Sequence, residues 1–282
     1  MTLYKNSIEL NDLSLGKPTE YCSEYNPSLL QAVPRSLNRD GLGIEANNLK
    51  FKGEDVWYGY ELSWLNSKGK PIVAVAEFRF DCTSPNIVES KSFKLYLNSF
   101  NQSKFATWDE VKKLLTQDLS NTSGSQAKVS LFKVDECKPL AIAPINANCI
   151  DDIDVSIDAY EIDSALLALS HTINNVEDKT LISHLLKSNC LITNQPDWAS
   201  IYISYSGKQI DEAALLRYLI SFRQHNEFHE QCVERIFTDI MATCKPDKLS
   251  VFARYTRRGG LDINPYRSTE TSVAPALRTL RQ

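Results

Sequence analysis

No stretch of this sequence approaches the roughly 18 uninterrupted apolar residues that a membrane-crossing helix needs. Its start, MTLYKNSIELND, lacks the apolar run of a secretory leader. Positive charge is not in excess either. The 31 Lys and Arg stand against 35 Asp and Glu, a formal net charge of −4, so there is no global basic field to grip a nucleic-acid backbone. The 7 cysteines, at 22, 82, 137, 149, 190, 232 and 244, include no C-x-x-C pair. Such an odd, scattered set reads as thiols kept reduced in a cytoplasm rather than a disulfide frame. A phosphate-cradling G-x-x-x-x-G-K-[ST] loop is missing, and so is the H-E-x-x-H of a zinc protease. These absences predict a soluble cytoplasmic protein with no membrane and no direct nucleic-acid partner.

What remains is 282 residues, 43% of them hydrophobic, enough for one large domain or two of ordinary size. A repeat favours two. LYLNSFNQ (95–102) matches RYLISFRQ (217–224) at an offset of 122, and KVSLF (128–132) matches KLSVF (248–252) at an offset of 120. Matches in the same order over some forty residues indicate a duplicated module, with copies over 1–145 and 146–282. In the first, 55–65 and 71–82 read as strands around the turn NSKGK. Helices follow over 90–102 and 107–119, the second opened by Thr107 three residues before Glu110 as a capping box. A strand returns over 128–134. In the second copy, 197–207 and 248–256 read as strands, and 211–222 and 228–244 as helices with apolar residues at helical spacing. Residues 152–162, DIDVSIDAYEI, alternate as an edge strand whose aspartates would discourage unwanted pairing. The fold class is α+β, antiparallel sheet with paired helices, made twice.

Candidate chemistry is sparse. His225 and His229 share a helical face, but Asn226 occupies the place where a zinc protease needs glutamate, and no third ligand follows in sequence. GLGIEA (41–46) has the form G-x-G-x-x-A without the apolar strand that a dinucleotide fingerprint requires. ESKSFK (89–94) reads as a polar helix start, yet DEAALL at the matching place lacks its lysines and serines, so the copies have diverged there. RYTRRGGLDINPYR (254–267) sets arginines beside two glycines, which suits phosphate contacts or a solvated C-terminal loop. In KSNCLITNQPDW (187–198), Cys190 precedes a turn and an acid, Asp197. Neither spacing nor composition makes that pair catalytic by itself.

Together ESKSFKLYLNSF, SNCLITNQPDW, FHEQCVERI, YTRRGGLDINP and SLLQAVPRSLNR resemble the long, two-module form of NADPH-dependent 7-cyano-7-deazaguanine reductase, a nitrile reductase of the queuosine pathway of tRNA modification. The resemblance runs over essentially the whole chain. It implies two tandem tunnelling-fold (T-fold) modules, the first carrying ESKSFK and the second the cysteine and His-Glu. It implies that Cys190 attacks the nitrile carbon to give a covalent thioimide, with Asp197 as proton donor. Val88, Glu89, Ser90, His229 and Glu230 would hold the deazaguanine. Ser90, Lys91, Arg258 and Gly259 would contact NADPH, two molecules of which are consumed per turnover, with no metal required. A homodimer is the implied assembly. Ala199, after Trp198, stands where relatives are expected to carry glycine, and Asn194 varies too. Since the lysine–serine motif lies in one copy and the cysteine in the other, the site is expected between them. A zinc-dependent cyclohydrolase-like enzyme on the same fold and a silent purine-binding module are the alternatives.

Overall fold

A computed structural model describes residues 21–142, 146–171, 175–276 and 278–282. Residue 145, the end of the first expected module, and the start MTLYKNSIELND lie outside the described residues. Eight strands form one sheet in the order β5-β3-β2-β10-β9-β8-β7-β6. They are β2 (Lys52–Leu65), β3 (Pro71–Asp81), β5 (Lys128–Phe132), β6 (Asn148–Cys149), β7 (Asn175–Asn189), β8 (Pro196–Lys208), β9 (Lys248–Tyr255) and β10 (Leu261–Ser268). All neighbours are antiparallel except β6 and β7. A separate small sheet pairs β1 (Ala32–Pro34) with β4 (Asn86–Val88). A short helix α1 (Ser36–Arg39) follows β1. Each half then carries a pair of helices, α2 (Ser90–Ser99) with α3 (Trp108–Ser123), and α4 (Glu212–Ser221) with α5 (His229–Thr243).

The two helix pairs correspond in position and in contacts. Helices α2 and α4 begin and end 122 residues apart. Their acidic caps also correspond: the Glu89 carboxylate accepts from Lys91 and Ser92 N–H, and the Asp211 carboxylate from Ala214 N–H. Tyr96 donates to Asp118 at 2.6 Å, and Tyr218, 122 residues on, donates to Asp239 at 2.6 Å. Each tyrosine ties the first helix of its pair to the second. Tyr218 is fully buried. Tyr218→Phe should lower stability by about 1.5–3 kcal/mol in urea unfolding, the usual worth of a hydrogen bond to a charged group.

Each helix pair buries its apolar stripe on the same side of the sheet. Trp57, Phe78, Phe93, Tyr96 and Leu115 centre one core, and Ile201, Leu215, Val233, Phe237 and Val251 the other. The opposite side carries a smaller cluster around Tyr58, Tyr202, Phe252 and Tyr266. Strand alternation accounts for the split: Trp57 points toward the helices, Val56 and Tyr58 away from them.

Several elements differ from the sequence reading. Residues 152–162 are not a strand; that edge belongs to the two residues of β6. Their period-2 pattern is real, since Ile153 and Val155 pack on the core while Asp152 and Asp154 face water, but among the described residues no neighbouring strand pairs with them. Residues 261–268 are no solvated loop. They form β10, buried at all eight positions and inserted between β2 and β9, so the last strand joins the halves. Gly53 permits this, because a Cβ there would stand 1.9 Å from the Tyr266 carbonyl oxygen. The 15-residue strand β7, left unassigned from sequence, has its alternation broken by a bulge between Ser183 and Leu186. Thr107 does cap α3, but Glu110 returns its bond to the Ala106 N–H rather than to Thr107. GLGIEA lies in a 3-10 turn and coil. No helix among the described residues is long and apolar enough to cross a membrane.

Candidate active site

Two tight turns and one helix start build the site. The β7–β8 connection spans residues 190–195 and closes on itself: Cys190 N–H donates to the Gln195 carbonyl at 2.8 Å, and Asn194, at φ +56°, donates back to the Cys190 carbonyl at 3.1 Å. Cys190 therefore leaves β7 at the mouth of the turn, and Asp197 enters β8 opposite Ser188. The segment 225–227 clamps the turn from outside. Asn189 N–H donates to the His225 carbonyl at 2.8 Å, and Asn226 Nδ2 to the Cys190 carbonyl at 3.1 Å. The second turn joins β9 to β10. Gly259 and Gly260, at φ +56° and +76°, make a two-residue loop of type I′ geometry, which places Arg258 at its shoulder.

These elements and the start of α2 enclose a cavity of about 470 Å³. Its walls include Trp57, Val88, Ser90, Lys91 and Lys94 from the first half, and Cys190, Asp197, Phe228, His229, Glu230, Tyr255 and Arg258 from the second. Residues from both halves of the chain therefore line it. Two expected residues stand off the wall. Glu89 is fully buried behind it, both carboxylate oxygens held at 2.7 Å by the first N–H groups of α2. Gly259 packs over Lys94, whose Cδ lies 3.1 Å from where a Cβ would be.

Asp197 is 2% exposed and tied on two sides, its Oδ1 accepting from Arg258 Nη1 and its Oδ2 lying 3.6 Å from His229 Nε2. Burial alone would raise its pKa, but His229 and Arg258 outweigh that and hold it below the usual carboxylate range. Glu230 goes the other way. Burial and the nearby Asp55 carboxylate push it up to about 7. Desolvation and Arg258 keep Lys94 below the usual lysine range. The His229 ring lies edge-on to Tyr255 with centroids 4.0 Å apart, which fixes its approach to Asp197. His225 and His229 do not converge on a common ion. The first sits 3.1 Å from Glu227, and the second faces Asp197.

The comparisons with known proteins agree with one another. Residues 21–131 match a family model described as nitrile reductase, 7-cyano-7-deazaguanine-reductase N-term, and residues 196–274 one described as QueF-like protein. Over 286 aligned positions, spanning all of both chains, the sequence is 64% identical to the NADPH-dependent 7-cyano-7-deazaguanine reductase of Colwellia psychrerythraea. The chain belongs to this nitrile reductase family. The matched segments hold Val88 to Lys94, Asp197, His229, Glu230 and Arg258, while Cys190 falls between them.

For a reductase of this family, the cationic side of the cavity fits a dinucleotide phosphate. Lys91, Lys94 and Arg258 all reach its wall. Trp57, Gln195 and Tyr255 have no role in the sequence reading, and Lys94 enters it only as one of the ESKSFK lysines. Lys94 carried a usable signal: it follows Ser90 by four residues and Lys91 by three, so all three share one helical face. Gln195 had none, because its place depends on Arg258, whose Nη2 donates to its side-chain oxygen.

Proposed function

We propose that this protein reduces the nitrile of 7-cyano-7-deazaguanine to the aminomethyl group at the expense of NADPH, as a step of queuosine biosynthesis. The observation that carries this reading is the convergence of Cys190, Asp197 and Glu230 on one cavity whose other wall is cationic, in a chain of this family. Glu230, and Glu89 once α2 adjusts, offers carboxylate oxygen to the donor-rich amino–imino edge of the base, with Val88, Ser90 and His229 beside it. Cys190 sulfur then adds to the nitrile carbon. The thiol proton passes to Asp197, held as carboxylate by His229 and Arg258, and from Asp197 to the nitrile nitrogen, leaving a covalent thioimide. Bound NADPH supplies hydride, two equivalents per nitrile reduced.

Ser90, Lys91, Gly259 and Arg258 would hold the cofactor. Arg258 is shared between two duties, because a phosphate that draws its guanidinium away lets the Asp197 pKa rise and makes that group a stronger proton acceptor. We further read the two halves as tandem T-fold units, on the strength of the repeated hairpin, helix pair and return strand. The homodimer follows only from the family resemblance. Seven free thiols suit a reducing cytoplasm.

The test is NADPH oxidation on addition of the nitrile, with two equivalents consumed per amine formed; consumption without amine would defeat the reading. A second outcome concerns pH. A base that needs ionised Glu230 must displace its proton, so substrate affinity without cofactor should fall up to about tenfold per unit as pH drops below about 7. Glu230→Gln should bind more weakly and lose that slope in calorimetric titrations between about pH 5 and 9.

A further inference from the structure

Where residues 148–151 run along the sheet edge, Cys149, Asp151 and His184 bring a thiol sulfur, a carboxylate oxygen and a ring nitrogen within 4.8 Å of one another. Among the described residues this is the one group of three such donors with that spacing. It belongs to neither the cavity nor its walls. We propose that these three side chains form a binding site for one zinc-type divalent cation, a clip that fastens β6 and the turn after it to β7.

The argument rests on how each donor is held. Cys149 lies in β6, in register with Ile182 of β7, and Ile150 N–H continues the pairing to the Ile182 carbonyl at 3.0 Å. The chain then turns so that Asp151 faces β7. One of its oxygens accepts from Ser183 Oγ at 2.7 Å, the other from His184 N–H at 2.9 Å, leaving each a spare lone pair. His184 sits in the β7 bulge, a feature that re-aims side chains. Its Nδ1 is 2.7 Å from the hydroxyl of Ser200, a residue 1% exposed. Arg281 is engaged with the His184 carbonyl oxygen. Both the carboxylate and the imidazole are thus oriented by partners of their own, the arrangement in which metal ligands are held. Cys149 is exposed and open to an arriving ion. Bond lengths of about 2.0–2.3 Å in a tetrahedral zinc site imply donor separations of about 3.3–3.7 Å, so side-chain shifts of about 1 Å complete the set, with water as fourth ligand. One thiolate, one imidazole and one carboxylate suit zinc or cobalt rather than magnesium or calcium.

Chelator-treated full-length protein titrated with Co²⁺ reads this directly. The proposal expects one equivalent taken up with a thiolate-to-cobalt charge-transfer band, displaced by Zn²⁺. Cys149→Ser should abolish the band. His184→Gln should weaken uptake at least tenfold, and Ser200→Ala about 10–100-fold, with circular dichroism confirming folded variants. Cys190→Ala should keep the band. Absence of uptake, a band that survives in Cys149→Ser, or one lost in Cys190→Ala would overturn the assignment.

Discussion

Replacing Cys190 by alanine is expected to lower nitrile reduction by about 10⁴-fold or more, while the dissociation constant for the substrate changes little. The size follows from the role. On the proposed roles, a nucleophile that forms and breaks a covalent bond cannot be covered by its neighbours, whereas Glu230 and the apolar walls would still bind the base. Cys190→Ser should be almost as inactive, because an alcohol is a far weaker nucleophile than a thiol. The three buried cysteines provide a contrast. Burial pushes the Cys82 and Cys244 thiols up to about 11 and that of Cys232 well above the usual range, while Cys190 is only partly covered and opens on the cavity. Stopped-flow traces of NADPH consumption with saturating substrate check the prediction. A Cys190→Ala variant retaining a tenth of the wild-type rate would remove the nucleophile from the account.

Glu234→Ala is expected to destabilise the protein by about 3–5 kcal/mol, the cost of stripping one partner from a buried ion cluster. Arg267 Nη2 and Arg39 Nη2 reach one Glu234 oxygen at 2.8 and 2.6 Å, and Arg267 Nη1 and Arg35 Nη2 hold Asp55 at 2.8 and 2.6 Å. All five side chains are at most 3% exposed. They come from the loop after β1, from α1, β2, α5 and β10, so the cluster locks the second half's helix to the first half's strand. It also lies behind the cavity, because Asp55 is the carboxylate that helps raise Glu230. Burial would raise the Glu234 pKa, but Arg267 and Arg39 hold it below the usual range. The stability it contributes is therefore present above that range and lost as pH falls through the lowered folded value. Urea unfolding at neutral pH should show the full deficit in Glu234→Ala. Lys133→Ala, which removes a pair exposed by more than half on both sides, should leave the midpoint unchanged. A Glu234 variant as stable as wild type would mean that the cluster does not join the halves.

Much of this architecture was legible because local rules and tertiary packing agreed. The helix periods, the Thr107 cap of α3 and the 122-residue offset each depend on nearby residues, and the helices appear where those signals put them. Strand β10 was hidden because its arginine, aspartate and asparagine look solvated until their buried partners are known. Arg267 needs Asp55 and Glu234, 212 and 33 residues away in sequence. Residues 152–162 misled for the opposite reason, since alternation reports which side is buried and not whether a neighbouring strand is there to pair. In the site, resemblance supplied the roles and geometry supplied the neighbours. The Arg258–Asp197 pair and the raised Glu230 exist only once the β9–β10 loop meets the β7–β8 turn, and no spacing in the sequence announces that meeting.

The central claim is that Cys190 carries the substrate covalently, and the mass of the intact protein mixed with 7-cyano-7-deazaguanine in the absence of NADPH tests it most directly. The account predicts a gain of one substrate mass per chain, absent in Cys190→Ala and discharged when NADPH is added. An unchanged mass in folded wild-type protein that nonetheless binds the nitrile would contradict it, and would leave Cys190 as a partly covered thiol beside a binding pocket.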